Sequence, residues 1–184
     1  MQNITHNENI DKEIVVSKAQ KIKLFAMDVD GVLSDGKIIY NSYEVETKAF
    51  FVQDGFGLVS LKKYGISLAI ITGRNSPMVD RRAKELGVDY VIQGRDDKYT
   101  QLKTLAERLG LDMTQCAYIG DDLPDLKALI HAGFGVAPAN AVNEVKNAAD
   151  FVTQKTGGNG AVREVCDFIL KAQGYYDDFI AHFK

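Results

Sequence analysis

Short apolar segments alternate with amphipathic segments along most of this sequence, and this alternation limits the folds that it can adopt. The apolar segments are KIKLFAM, ISLAIIT, DYVIQG, QCAYIG, FGVA and DFVT. Strands that alternate with helices at this spacing form parallel sheets, and near-continuous apolar runs are typical of strands that are buried on both faces. The sequence therefore predicts an α/β fold in three layers, with helices covering both faces of a parallel sheet.

The chain of 184 residues has the length of one compact domain. We expect an N-terminal arm over residues 1–20, a single domain over 21–174 and a C-terminal tail over 175–184. Within the domain, KIIYNSYEVETKAFF at 37–51 has two strand-like runs around a polar turn, which predicts a β-hairpin. This hairpin is the one element outside the alternation, and it is too short to be a separate domain.

The net charge and the hydrophobic pattern argue against two classes of partner. The net charge is −3, whereas nucleic acids and acidic membranes favour basic surfaces. No apolar run approaches the ~18 residues that a membrane span needs, and the first residues lack the pattern of a signal peptide. We therefore expect a cytoplasmic protein with no nucleic-acid partner and no membrane partner.

Polar residues follow the ends of several predicted strands, where ligands bind in open α/β sheets. They are Asp28, Asp30, Thr72, Arg74, Asp121 and Asp122, and Lys98 lies at the start of the helix after another strand. Carboxylates gathered in a cleft repel one another, and a hard divalent cation such as Mg²⁺ resolves that conflict. Asp28 and Asp121 can supply carboxylate ligands, and Asp30 can add a backbone carbonyl.

This set of residues suits phosphoryl transfer. The Asp28 carboxylate can attack phosphorus in line, while Asp30 protonates the leaving oxygen and later activates water. Thr72 can donate hydrogen bonds to the phosphoryl oxygens, and Lys98 can neutralise charge on both the nucleophile and the phosphate. Phosphoryl transfer needs little beyond such positioning and charge stabilisation.

Each of these residues alone also fits an ordinary structural role. An Asp after a strand often caps a helix or forms a turn, and a Lys at a helix start is often solvated. Asp122 is suited to capping the helix that follows it. Asp125 lies one helical turn after Asp121, so it can either support the metal site or face the helix dipole as a first-turn carboxylate. The order of the residues on successive strand ends favours the catalytic interpretation.

Four of these segments together resemble the motifs of the haloacid dehalogenase superfamily. They are DVDG at 28–31, TGR at 72–74, Lys98 and GDDLPD at 120–125, in the family's order and with fitting spacing, across about residues 22–152. The resemblance implies a Rossmann-like core, a Mg²⁺ cofactor, Asp28 as nucleophile and Asp30 as acid and base. It also implies that Thr72 and Lys98 handle the phosphate and that Asp121 is a metal ligand.

A closer resemblance covers nearly the whole chain after about residue 20. DVDGVLSDGKIIY, FFVQDGFG, ITGRNS, QGRDDK and GGNGAVREV are similar to segments of the 3-deoxy-D-manno-octulosonate 8-phosphate phosphatases of bacterial lipopolysaccharide precursor synthesis. Only the hairpin lies between the first two motifs, which leaves no room for the large cap domain common in the superfamily. The resemblance implies a homotetramer in which the hairpins pack together and neighbouring subunits complete each other's sites.

A sugar-acid phosphate carries a carboxylate as well as a phosphate, and residues near the motifs are candidates for binding it. These candidates are Arg74, Arg95, Gly73, Lys48 and Asp54. An Arg can bind a carboxylate through two parallel hydrogen bonds, although each charged candidate also fits a surface position. The glycines of residues 157–160 predict either a flexible lid or a plain turn before the last long helix.

Other functions fit parts of the same pattern. A phosphatase for a nine-carbon sialic-type acid phosphate, or for another small sugar phosphate, would use the same chemistry. A mutase must shield its intermediate from water, which the missing cap disfavours. A non-catalytic scaffold would not need the complete set of acids, hydroxyl and lysine. In a response-regulator receiver the phosphorylated Asp ends a middle strand, whereas here the DxD pair follows the first.

Overall fold

The computed structural model describes residues 12–184, and these residues form one α/β unit. Helix α1 covers residues 12–19. The strands that follow are β1 Leu24–Met27, β2 Ile39–Tyr40, β3 Glu46–Thr47, β4 Ser67–Ile71, β5 Tyr90–Ile92, β6 Cys116–Ile119, β7 Phe134–Ala137 and β8 Phe151–Val152. The other helices are α2 Val52–Lys63, α3 Pro77–Leu86, α4 Lys98–Arg108, α5 Leu123–His131, α6 Asn143–Ala148, α7 Ala161–Ala172 and α8 Tyr176–Ala181, and a 3₁₀ turn at Met113–Gln115 precedes β6.

Six strands form a parallel sheet in the order β5-β4-β1-β6-β7-β8. Met27 at the end of β1 pairs with Ile70 of β4 on one side and Ile119 of β6 on the other. The chain runs outward from β1 toward β5 and then returns to β6, so the direction of winding reverses between β1 and β6. Such a switch point opens a crevice at the carboxyl ends of the strands, where ligands bind.

Alternate side chains of β1 pack into two separate cores, one on each face of the sheet. Phe25 and Met27 pack in a core that includes apolar residues of α2 and α7. Leu24 and Ala26 pack in a core that includes apolar residues of α4 and α5. Each large side chain buried in this way stabilises the fold by about 1.5–3 kcal/mol. The predicted three-layer, Rossmann-like α/β fold is confirmed.

The insertion after β1 is a small two-stranded antiparallel hairpin of β2 and β3. Ile39 pairs with Thr47, and Tyr40 pairs with Glu46. The side chain of Asn41 accepts hydrogen bonds from two backbone N–H groups of the turn, which fixes its shape. The structure therefore forms the hairpin predicted within 37–51, with shorter strands than the two apolar runs suggest.

The two ends of the chain lie outside the alternation of strands and helices. Residues 1–11 of the predicted arm lie outside the described residues, and residues 12–19 are helical. The predicted tail contains α8, whose Phe179 is buried and packs 5.7 Å from the ring of Phe56 on α2. Within residues 12–184, no helix combines the length and the apolar character needed to span a bilayer.

Candidate active site

Asp28 lies immediately after β1, with its side chain in the crevice at the switch point. Its backbone N–H donates to the carbonyl of Ile119, which extends the β1–β6 ladder by one residue. The residue is 7% exposed, and Oδ2 lies 2.8 Å from Nζ of Lys98. Oδ1 is buried and accepts no hydrogen bond from any residue in 12–184. A buried carboxylate oxygen without a hydrogen-bond partner lowers the stability of the fold, so this atom is suited to serve as a metal ligand or as a nucleophile.

Lys98 is held between two carboxylates at the start of α4. Only 4% of this residue is exposed, and Nζ donates to Oδ1 of Asp125 at 2.6 Å as well as pairing with Asp28. The two negative neighbours raise the pKa of Lys98 against the opposing effect of burial. The ammonium therefore stays charged and faces the site where a phosphate would add further negative charge.

Asp125 is fully buried, and both of its oxygens are occupied by the protein. Oδ1 accepts the Lys98 ammonium and the hydroxyl of Tyr118, each at 2.6 Å. Oδ2 accepts the backbone N–H groups of Asp121 and Asp122 at 3.1 and 3.2 Å. Burial keeps the Tyr118 hydroxyl protonated by raising its pKa, so it acts as a donor. Asp125 thus orients Lys98 and the 121–122 backbone.

Three carboxylates meet at this edge of the sheet. One oxygen each of Asp28, Asp121 and Asp125 lies within 4.8 Å of the others. Burial, followed by the charge of Asp125, raises the pKa of Asp28 to about 6. Burial and the charges of Asp125 and Asp28 raise the pKa of Asp121 to about 7. A divalent cation would relieve this repulsion, and the side chains of Asp28 and Asp121 fit it because the oxygens of Asp125 are already used.

Gly31 allows Asp121 to approach the loop that follows β1. The φ angle of Gly31 is +90°, and a Cβ atom there would lie 2.0 Å from Oδ2 of Asp121. Any other residue would collide with this carboxylate and strain the backbone. The glycine of the DVDG motif is therefore required by the close approach of the two acidic loops.

Asp30 is contacted by two basic side chains, one of which comes from the hairpin. Lys48 forms an ion pair with Oδ1 of Asp30, and its side chain is only 1% exposed. Arg74 Nε lies 3.8 Å from Oδ2 of Asp30. Glu46 joins both bases, at 3.1 Å from Lys48 Nζ and 3.1 Å from Arg74 Nη2. The hairpin is thereby connected to the loop that carries the two aspartates.

Thr72 and Gly73 directly follow the end of β4. Thr72 is buried, and its backbone bonds to Ile92 and Arg95 extend the β4–β5 ladder. A Cβ atom on Gly73 would lie 2.6 Å from a carboxylate oxygen of Asp96, so the backbone here also approaches a neighbouring loop closely. Both residues lie at the same edge of the sheet as Asp28, as parallel strands require.

Known proteins are similar to this chain in sequence and in structure over most of its length. The sequence model of the haloacid dehalogenase-like hydrolases matches residues 91–165. The 3-deoxy-D-manno-octulosonate 8-phosphate phosphatase of Escherichia coli is 43% identical over 164 residues, which cover 89% of this chain and 87% of that protein. This chain belongs to that phosphatase family. The predicted resemblance to the haloacid dehalogenase superfamily is confirmed.

Solved structures of this phosphatase family superimpose closely on the fold described above. The Moraxella catarrhalis phosphatase, in complex with magnesium ion, phosphate ion and KDO, is 63% identical, with a TM-score of 0.91. The match covers 92% of this chain and 98% of that one. The cobalt-bound form of the Haemophilus influenzae phosphatase is 41% identical, with a TM-score of 0.84 and coverage of 88% and 95%.

Three of the candidate residues make contacts within the protein. Asp54 is buried, and its two oxygens accept the backbone N–H groups of Gly160 and Arg163 at 3.3 and 2.8 Å. It therefore anchors the start of α7, a structural role. Arg95 is exposed and pairs with Asp97. Asp122 caps α5, as one of the sequence-based interpretations proposed.

Several residues of the site in this family member were not anticipated from the sequence. These are Glu46, Tyr118 and Asn140. The strand-end rule that identified Asp28 also points to Asn140, because this residue follows the end of β7 closely. Tyr118 could have been identified because it places a phenol in a buried strand, where the hydroxyl needs a hydrogen-bond partner. Nothing in the sequence indicates that Glu46 would face Lys48 and Arg74, because that depends on how the hairpin folds back.

Proposed function

We propose that this protein hydrolyses 3-deoxy-D-manno-octulosonate 8-phosphate to 3-deoxy-D-manno-octulosonate and phosphate, in lipopolysaccharide precursor synthesis. The observation that carries the proposal is the buried Asp28 carboxylate, with Oδ2 on Lys98 and Oδ1 without a partner in 12–184, beside Asp121. Support for the substrate comes from the family, and from the 63% identical relative whose structure holds magnesium, phosphate and KDO.

The carboxylates of Asp28 and Asp121, with the backbone carbonyl of Asp30, would hold a Mg²⁺ ion. This ion would offset the repulsion between the acidic groups and the phosphate and would draw electron density from a phosphoryl oxygen. The raised pKa values of Asp28 and Asp121 support this assignment, because they reflect carboxylates that burial and mutual repulsion disfavour in the ionised form.

The reaction proceeds in two steps on the Asp28 carboxylate. In the first, an Asp28 oxygen forms a bond to phosphorus, the bond between phosphorus and the sugar oxygen breaks, and Asp30 in its protonated form gives a proton to that leaving oxygen, which leaves Asp30 ionised. In the second, Asp30 takes a proton from a water molecule, the water oxygen bonds to phosphorus, and the bond to Asp28 breaks to release phosphate. Lys98 stabilises the negative charge through both steps, and Thr72 donates to a phosphoryl oxygen.

The substrate carboxylate binds at the basic side of the crevice. Lys48 and Arg74 are close to Asp30 there, and Arg74 has 43% of its side chain exposed. The planar guanidinium of Arg74 is suited to binding a carboxylate through two hydrogen bonds. Gly73, in the loop after β4, and Arg95, in the loop after β5, complete the proposed set of substrate-binding residues.

A panel of phosphates, each tested with Mg²⁺ and with excess EDTA, checks the proposed function. We expect phosphate release that is selective for 3-deoxy-D-manno-octulosonate 8-phosphate and that EDTA abolishes, because the metal-free carboxylates repel the substrate. Selective release from a nine-carbon sialic-type acid phosphate would replace the substrate and keep the mechanism. A complete absence of release from all substrates would contradict the mechanism and favour a scaffold.

We infer that the active protein is a homotetramer in which the hairpins pack together and neighbouring subunits complete each other's sites. The cytoplasmic location stays a prediction. Support for the assembly comes from a group of large apolar side chains that are exposed along residues 38–45. They are Ile38, Ile39, Tyr40, Tyr43 and Val45. Exposed apolar groups clustered in this way are uncommon on monomers and mark interaction surfaces.

Replacing Ile39 with aspartate is expected to dissociate the tetramer, because it places a charge within this apolar surface. Light scattering coupled to gel filtration measures the mass, and phosphate release is expected to fall at least tenfold if neighbouring subunits complete the sites. Ile130→Asp on α5 is the matched control, since Ile130 is similarly exposed outside the hairpin. A monomeric wild-type protein would contradict the proposed assembly.

A further inference from the structure

The loop after β7, residues 138–142, is bonded to the loop that carries the catalytic aspartates. We call residues 28–35 the nucleophile loop. The side-chain amide of Asn140 donates to the backbone carbonyl of Gly31 at 2.9 Å. The side-chain oxygen of the same residue accepts the backbone N–H of Gly157 at 2.6 Å. One exposed side chain therefore joins two segments that are far apart in the sequence.

The segment of residues 156–160 lies directly against the nucleophile loop. A Cβ atom on Gly157 would lie 1.8 Å from the carbonyl oxygen of Gly31, so only glycine permits this approach. The backbone N–H of Gly158 donates to the carbonyl of Val32 at 2.9 Å. The glycines of residues 157–160, for which the sequence predicts either a flexible lid or a plain turn, therefore pack against the nucleophile loop.

The 138–142 loop also contacts the loop that carries Asp121. The backbone N–H of Val142 donates to the carbonyl of Asp121 at 2.9 Å, and that of Ala139 donates to the carbonyl of Lys155 at 3.1 Å. The same short loop is thus bonded to the nucleophile loop, the Asp121 loop and the chain that leads into residues 156–160. Asn140 supplies the two side-chain bonds of this junction.

We propose that Asn140 is a positioning residue for phosphoryl transfer, which fixes the nucleophile loop through Gly31 and so aligns Asp28 and Asp30. The inference rests on the proposed function. Gly31 directly follows Asp30, so a rotation of its peptide moves the acid and base group against the substrate. Misplacing a reacting group by about 1 Å can cost ~100-fold in rate.

Replacing Asn140 with alanine is expected to lower kcat ~10- to 100-fold while KM stays within about twofold, because substrate ligands remain in place. The assay uses p-nitrophenyl phosphate with Mg²⁺, so it does not depend on the proposed sugar-acid substrate. Asn140→Asp keeps the acceptor for Gly157 and loses the donor to Gly31, so we expect it to lose at least as much turnover as the alanine variant.

Gln173→Ala is the matched control at the opposite edge of the sheet. The Gln173 amide also bridges backbone groups, donating to the carbonyls of Ala19 and Ile22 at 3.1 and 2.9 Å. Its removal is expected to change stability and leave kcat within about twofold. A wild-type kcat in Asn140→Ala would overturn the proposal, and so would equal losses of kcat in the two alanine variants at equal stability.

Hydrogen exchange measures how Asn140 fixes the loops, and this measurement does not depend on the proposed function. In Asn140→Ala we expect faster exchange at the amides of residues 28–35 and 156–160, with unchanged exchange in β4. If the wild-type protein hydrolyses no phosphate, the proposed function fails, and faster exchange in these two segments still supports the role of Asn140 in fixing the loop. Unchanged exchange there would overturn that role.

Discussion

Replacing Asp28 with asparagine is expected to lower turnover by roughly a thousandfold or more without unfolding the protein, because this carboxylate forms the bond to phosphorus. Asparagine has nearly the same size and can occupy the same buried position, but its amide is a poor nucleophile. Phosphate release under saturating substrate and Mg²⁺ measures the effect. Wild-type turnover in Asp28→Asn would show that another group attacks phosphorus.

The same variant has an expected effect on stability that distinguishes a lost nucleophile from a lost fold. The pKa of Asp28 is raised to about 6 in the folded protein, above its ordinary value of 3.8. Ionisation of Asp28 therefore costs folded stability as pH rises from about 4 to 6, and an asparagine avoids that cost. We expect metal-free Asp28→Asn to melt a few degrees above metal-free wild type at pH 7, and the difference to vanish near pH 4.

A conservative change at a distant carboxylate provides the control for these measurements. Asp80 lies on α3, where its side chain is exposed and accepts a hydrogen bond from the side-chain amide of Gln93 at 2.6 Å. Asparagine at position 80 can accept the same bond. We expect Asp80→Asn to match wild type in turnover and to show the same dependence of melting temperature on pH.

The residues at the strand ends could be predicted because topology alone brings them together. Parallel strands place their carboxyl ends at one edge of the sheet, so Asp28, Thr72 and Asp121 had to be neighbours once the strands were recognised. Lys98 was predictable for a similar reason, since α4 begins at the same edge. The switch point between β1 and β6 then selects this edge as the binding crevice.

The place of Asp54 could not be predicted because it depends on how α2 packs against α7, a helix far away in the sequence. From the sequence, Asp54 lies beside the hairpin, where its carboxylate can face the cleft. In the structure Asp54 lies in the first turn of α2, and its carboxylate accepts the backbone N–H groups of Gly160 and Arg163 at the start of α7. Such contacts between distant segments are tertiary, and the local sequence does not specify them.

The contacts of the hairpin and of the C-terminal residues were hidden for a different reason. Glu46 meets Lys48 and Arg74 only because the hairpin folds back over the crevice, and no periodicity in the sequence specifies that direction. In the same way, α8 is short and mixes aromatic with charged residues, so its helical pattern is weak. Its packing against Phe56 is a tertiary effect that local sequence does not encode.

Replacing Lys98 with methionine is expected to lower kcat by roughly a hundredfold or more and to destabilise the protein by ~3–5 kcal/mol at pH 8. Methionine fills a similar volume, so the change removes the charge that Asp28 and Asp125 share at 2.8 and 2.6 Å. Phosphate release and urea unfolding measure the two effects. Lys103→Met on the same helix is the control, since the Lys103–Glu107 pair is exposed and 3.9 Å apart.

The pH dependence of this destabilisation follows from the group that the lysine neutralises. Lys98 lowers the pKa of Asp28 against the effect of burial, so its removal raises that pKa further above about 6. A carboxylate whose pKa is raised in the folded state lowers the free energy of unfolding fully above its folded-state pKa and not at all below its unfolded-state pKa. The loss of stability in Lys98→Met should therefore shrink as the pH falls toward 4. A deficit that stays constant between pH 8 and pH 4 would contradict the electrostatic explanation. Turnover of Lys98→Met within twofold of wild type would mean that Lys98 neutralises the buried carboxylates but does not stabilise the transferred phosphate.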